Sequence, residues 1–253
     1  MPVIALCRTH FTHHQPETDM QTRDIDYTFE GLHLRGLLAD DETRTAKRPA
    51  VLVIHDAGGL GEHIKEKARR LAALGYVAFA LDLFGEGKTV TDGMRRIQEL
   101  AASLSRWRGL SQAGLDVLAR QPQTDTSRLA AIGYCFGGTT AYELARSGAD
   151  LRGVVGFHSG LSPSSGEAKN IKGKVLTLIG ADDPIIPPEA RLAFEKEMRD
   201  AKVDWQMTVY GNTGHSFTSP AASAMNRPGF FYQPQSDARS WAAMRSFFDE
   251  IFA

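Results

Sequence analysis

The chain has 253 residues, 42% of them hydrophobic, enough to bury one sizeable core, and α/β domains of this length commonly stay undivided. Its 29 basic and 30 acidic side chains leave a formal charge of −1 without any Lys/Arg run, so neither nucleic acid nor an anionic membrane is an expected partner. The two cysteines, Cys7 and Cys135, offer neither a disulfide framework nor metal-ligand spacing. No apolar run reaches membrane-span length and the apolar start is too short for a signal peptide, so a reducing, cytoplasmic location is expected.

Residues 1–20 are polar, His-rich and without periodicity, and read as a flexible N-terminal tail; residues 21–253 read as a single α/β domain. From Asp26 to Leu38 the alternating stretches DYTFE and LHLRGLL flank Gly31 and predict an antiparallel hairpin at a sheet edge. AVLVIH, YVAFALDLF, RLAAIGY, VVGFH, KVLTLIG and WQMTVY then read as buried strands. Helical spacing falls between them: HIKEKARRLAALG, a long region from Asp92 to Arg120, a stretch after Gly138, Pro188 to Ala201, and finally Asp237 to Phe252. Such alternation predicts a mostly parallel central sheet with helices on both faces. Ligands in that architecture bind beyond the carboxyl ends of the strands, at the loops after His55, Leu83, Tyr134, His158, Gly180 and Tyr210.

One of those loops carries Gly133-Tyr134-Cys135-Phe136-Gly137, a G-x-S-x-G elbow with Cys in place of Ser, set between a strand and a helix as the motif requires. A helix N-terminus behind a thiol favours its thiolate. The plain alternative is a small buried Cys in a tight turn. Acyl transfer also needs a base and a group that orients it, expected later in the chain in the order acid, then His. Asp183, preferred over Asp182, follows KVLTLIG, and His215 follows WQMTVY in Gly-Asn-Thr-Gly-His-Ser-Phe. Singly, each reads as an ordinary turn residue; together, at three expected loop ends, they read as Cys135 nucleophile, His215 base and Asp183 orienter.

With these residues in place the sequence resembles the dienelactone hydrolase (carboxymethylenebutenolidase) family of the α/β-hydrolase superfamily. The resemblance runs from about Ile25 to Phe252 and rests on VLVIHDAGGL, GYVAFALDLFGEG, GYCFGG, DDPIIP, GHSF and the closing SWAAMRSFF. It implies an α/β-hydrolase fold and the triad Cys135, Asp183 and His215, the acid being followed by three residues and then Pro187. It also implies a cofactor-free hydrolase of a small-molecule ester or lactone, a monomer or weak homodimer. Ala57 and Phe136 would supply the backbone N–H groups of an oxyanion hole.

The departures from the family pattern bear on substrate. A Glu that gates the thiol in the family is matched by Asp56, whose plain reading is a turn residue. Two arginines that clamp a substrate carboxylate are matched near Glu86 and Ser219, which removes the anchor for a carboxylate-bearing lactone, leaving Lys88 as a partial substitute. Tyr134, His158 and Phe217 are taken as pocket residues, with His55 and the aromatic residues Phe84, Phe230, Phe231 and Tyr232 near them. His10, His13 and His14 lack further ligands, so no metal is expected. Hydrolysis of an activated neutral ester or lactone through a thioester intermediate is the expected activity, with attack on aryl phosphotriesters a secondary alternative; thioesters remain open, and no lid region exists to present a peptide. A non-catalytic binding or redox protein is the rival from another class.

Overall fold

The computed structural model describes residues 20–162 and 166–253. The predicted tail, Cys7 and the His10, His13, His14 cluster lie outside the described residues, save that Met20 opens the first strand.

The opening hairpin pairs β1 (Met20–Phe29) with β2 (Leu32–Asp41), and starts earlier than the apolar alternation suggests. Its first residues are polar, as suits the outer strand of a sheet. Then come β3 (Arg48–Ile54), α1 (Glu62–Ala73), β4 (Val77–Leu81), α2 (Gly93–Ala101), α3 (Leu104–Ala119) and β5 (Thr124–Tyr134). The second half comprises α4 (Phe136–Arg146), β6 (Gly153–Phe157), β7 (Lys174–Gly180), α5 (Pro188–Asp200), β8 (Trp205–Tyr210) and α6 (Pro234–Ile251). The single helical region expected from Asp92 to Arg120 is two helices. Ala102 and Ser103 donate back to Gln98 and Leu100, closing α2, and Ser103 turns extended before its carbonyl accepts from Trp107 to begin α3.

All eight strands join one sheet in the order β1-β2-β4-β3-β5-β6-β7-β8, parallel from β4 to β8 and antiparallel at the β1–β2–β4 edge. This is the α/β-hydrolase arrangement. Strand alternation sends Leu52, Ile54, Leu129 and Ala131 to the face covered by α3, α4 and α5, and Val51, Val53, Ile132 and Tyr134 to the face covered by α1 and α6. Burial on both faces explains the near-continuous apolar runs of the central strands. Among the described residues no helix is long and apolar enough to cross a membrane.

Candidate active site

At the end of β5 the backbone reverses into α4 through Cys135, held at φ 54° and ψ −118°, a conformation an L-residue adopts only when its surroundings impose it. The Cys135 N–H donates to the Phe157 carbonyl at 2.9 Å, and the Cys135 carbonyl accepts from Gly138 at 3.1 Å. The flanking glycines permit the reversal by close approach. A Cβ on Gly133 would overlap the backbone of Gly137, and one on Gly137 would overlap the Ile54 and His55 carbonyl oxygens. Phe136 locks the start of α4 from the other side, its ring stacked 5.0 Å from Trp107 and 6.2 Å from Phe84. The Trp107 indole donates to Thr140 Oγ1 at 2.9 Å, and that hydroxyl donates to the Phe136 carbonyl at 2.9 Å.

Three loops from distant parts of the chain converge on the elbow. Nε2 of His215 lies 3.1 Å from Cys135 Sγ, and its Nδ1 lies 2.7 Å from Asp183 Oδ2. The other Asp183 oxygen accepts the Ile185 N–H at 2.8 Å, so the carboxylate is held at both ends. His215 and Asp183 are buried, while Cys135 is partly exposed. Burial opposes a charge on His215, but the hydrogen bonds to Asp183 and Cys135, with the charges of both, overcome it and raise its pKa from 6.5 to about 9.

The His215 loop is clamped by residues 229–231, which include two of the aromatic residues expected near the pocket. The His215 N–H donates to the Gly229 carbonyl at 2.7 Å, Phe231 donates back to His215 at 3.3 Å, and the Phe230 ring packs 4.9 Å from the imidazole. His158 stands on the other side, its ring 5.1 Å from that of His215 and its Nε2 2.9 Å from Thr218 Oγ1. Burial, followed by the charges of His215 and His63, pushes the His158 pKa well down, so it is neutral.

Tyr134, His158 and Phe217, expected as pocket residues, are buried at 0%, 2% and 0% exposure. Tyr134 stacks on Phe157 at 4.6 Å on the α1/α6 side, the face that its alternation with Ile132 dictates. Asp56 takes the turn role: its carboxylate accepts the Gly58 N–H at 2.7 Å and forms no hydrogen bond with Cys135. Glu86 is exposed at φ 69° and ion-paired with Lys88, so Lys88 is not free to serve as an anchor. Ser219 is half-buried in a turn, donating to Ser216 O at 2.9 Å and accepting from Ala222 at 3.0 Å. The amides of Ala57 and Phe136 donate to no acceptor among the described residues. A cleft of about 630 Å³ lies at the opposite end of the sheet, where its Lys174 is neutralised by Asp204 and Glu250. It holds no nucleophile–base pair.

Comparison with known proteins bears on the family and the fold. The model of the dienelactone hydrolase family matches residues 34–252. A solved structure named m3DLH is 49% identical, with a TM-score of 0.89, covering 92% of this chain and 99% of its own. The dienelactone hydrolase-like promiscuous phosphotriesterase P91, from metagenomic libraries, is 43% identical with a TM-score of 0.89, covering 92% of this chain and 98% of its own. A Yersinia pestis protein named "Putative carboxymethylenebutenolidase" is 28% identical over 238 residues, 87% of this chain and 85% of its own. The chain belongs to the dienelactone hydrolase family of ester-hydrolysing enzymes.

Proposed function

We propose that the enzyme cleaves activated neutral esters and lactones through a thioester on Cys135. The observation that carries this reading is the unbroken chain of contacts from Cys135 Sγ to His215 at 3.1 Å and from His215 to Asp183 at 2.7 Å. The hydrogen bonds to Asp183 and Cys135 raise the His215 pKa to about 9, which equips the imidazole to hold the proton that Cys135 gives up. The thiolate attacks the carbonyl carbon, and the oxyanion develops between the Ala57 and Phe136 N–H groups, which have no acceptor among the described residues. Collapse breaks the C–O bond, and the leaving alkoxide or enolate takes the proton from His215 Nε2. Neutral His215 then takes a proton from water as that water attacks the thioester. Cys135 leaves as thiolate beside the re-formed imidazolium, and the acid is released. Asp183 holds the imidazole in the tautomer that each step needs.

The charge near the site selects against a carboxylate-bearing lactone, because Glu86 stands where a clamping cation would be needed and Lys88 is already paired with it. A second reading, aryl phosphotriester hydrolysis, is favoured by the 43% identity to P91. The same nucleophile would form a Cys135–phosphorus bond and expel the aryl oxide.

The test is hydrolysis of p-nitrophenyl esters of graded chain length by the wild type and Cys135→Ala, with intact mass recorded on quenched samples. An acyl adduct on the wild type, and a loss of about 10³-fold or more in kcat for the variant, are expected. Undiminished turnover by Cys135→Ala sinks the reading. A diethyl aryl phosphate assayed alongside tests the second reading: turnover supports it, and a stable phosphoryl adduct without turnover counts against it.

A further inference from the structure

His55 directly follows β3, is buried at 0% exposure, and takes no part in the proton transfers described above. Its two ring nitrogens are nevertheless both committed. Nε2 accepts the Leu83 N–H at 3.1 Å, and Nδ1 lies 2.7 Å from the Asp56 carbonyl oxygen. Since an amide N–H can only donate, Nε2 carries the lone pair, and the proton must sit on Nδ1, donating to Asp56. Burial, opposed by the Asp56 hydrogen bond, lowers the His55 pKa and keeps the ring neutral, which matches this tautomer.

The bonded carbonyl belongs to the peptide that joins Asp56 to Ala57. A trans peptide is planar, with its C=O and N–H pointing in opposite directions. A ring that holds the carbonyl on one side therefore aims the Ala57 N–H at the other, and a hydrogen bond at the oxygen polarises that N–H as a donor. The loop is closed in from elsewhere too. The Asp56 carboxylate takes the Gly58 N–H, and α2 begins so close that a Cβ on Gly93 would overlap the Ala57 carbonyl oxygen. Across the sheet, Gly137 in the first turn of α4 packs on the His55 carbonyl, so the two amides without acceptors sit on neighbouring, interlocked backbones.

We infer that His55 is a positioning residue for the oxyanion hole: its Nδ1–H orients the Asp56–Ala57 peptide so that the Ala57 N–H meets the developing oxyanion. Through Leu83, the same ring ties this peptide to the loop after β4 that carries Phe84 and Glu86. The inference rests on the acyl-enzyme reading above, whose own failure is read separately in Cys135→Ala.

The experiment compares His55→Asn, His55→Gln and His55→Leu in two reactions of Cys135. One is pre-steady-state acylation by a p-nitrophenyl ester, which builds an oxyanion. The other is alkylation by iodoacetamide, which does not. Asn places an amide N–H near the position of Nδ1, whereas Gln reaches only the Leu83 end. The expected result is acylation within about fivefold of wild type for Asn and a loss of roughly 10- to 100-fold for Gln and Leu, below the ~10²–10³ of losing a donor outright. Alkylation should stay within about twofold throughout. If Leu fails to fold, the Asn and Gln pair still decides. Acylation by Gln equal to or faster than Asn overturns the inference. So does a loss of acylation matched by an equal loss of alkylation, which would mark a structural or thiol defect.

Discussion

His158 Nε2 lies 2.9 Å from Thr218 Oγ1, tying the end of β6 to the loop three residues beyond His215. The His158 backbone sits at φ 42°, an uncommon conformation for a residue other than glycine, and it is stabilised by the His158 N–H donating to Leu178 at 2.8 Å. With the Phe230 ring also packed 4.9 Å from the imidazole, the bond restricts His215 to the orientation that serves both Cys135 and Asp183. His158→Leu and Thr218→Val should each lower kcat about 10-fold with KM within twofold, since a small misplacement of a base is costly. The double variant should be no worse than the poorer single one. Losses that instead multiply would show that the two side chains act independently.

The raised pKa of His215 carries a stability signature. A basic group whose pKa rises on folding binds its proton more tightly in the native state, so its stabilisation is full below the unfolded value of 6.5 and is lost as pH climbs through about 9. The amount at stake is of the order of 3 kcal/mol. Urea midpoints of the wild type and His215→Gln, measured between pH 6 and 10, should differ most at the acidic end and converge above pH 9. A gap that widens with pH would contradict the assignment.

Asp82 is fully buried, and its carboxylate accepts four backbone amides, those of Arg35, Phe84, Gly85 and Gly87. An acceptor-only group is required at both oxygens. Asp82→Asn would turn an N–H against two of those donors and should cost about 2–4 kcal/mol in chemical denaturation. Because the loop it organises includes Phe84 and Glu86, ester KM should rise as well. An Asn variant as stable as the wild type would mean that the loop is held mainly by other contacts.

Glu86 is exposed, with its carboxylate paired to Lys88 and within electrostatic reach of Arg96, so changing it should leave the fold intact. Glu86→Arg reverses the charge on the loop after β4, which His55 joins through Leu83. The ratio of kcat/KM for a carboxylate-bearing lactone over a neutral ester should rise about 10-fold, or ~1.4 kcal/mol of differential binding. An unchanged ratio would place the carboxylate of such a substrate away from this loop.

The sequence by itself determined the alternation of strand and helix, and with it a sheet whose strand ends must hold the chemistry. Apolar period and glycine placement are local properties, and local sterics alone demanded glycine around Cys135. Cys135, Asp183 and His215, the three residues that the fold brings together, were legible for the same reason, each marked by a turn at the end of an apolar strand. The break at Ala102 and Ser103 was not legible, because both halves of that region keep helical spacing and only the packing of α3 shows where the axis must turn. Nor were the roles of Tyr134, His158 and His55. All three stand beside the loops of the site, yet Tyr134 is turned into the α1/α6 core, His158 braces the His215 loop through Thr218, and His55 grips the peptide before Ala57. Tertiary structure decided those roles because the partner that satisfies a buried polar group, here Thr218, Leu83 or the Asp56 carbonyl, is set by which loops the fold brings within hydrogen-bond reach.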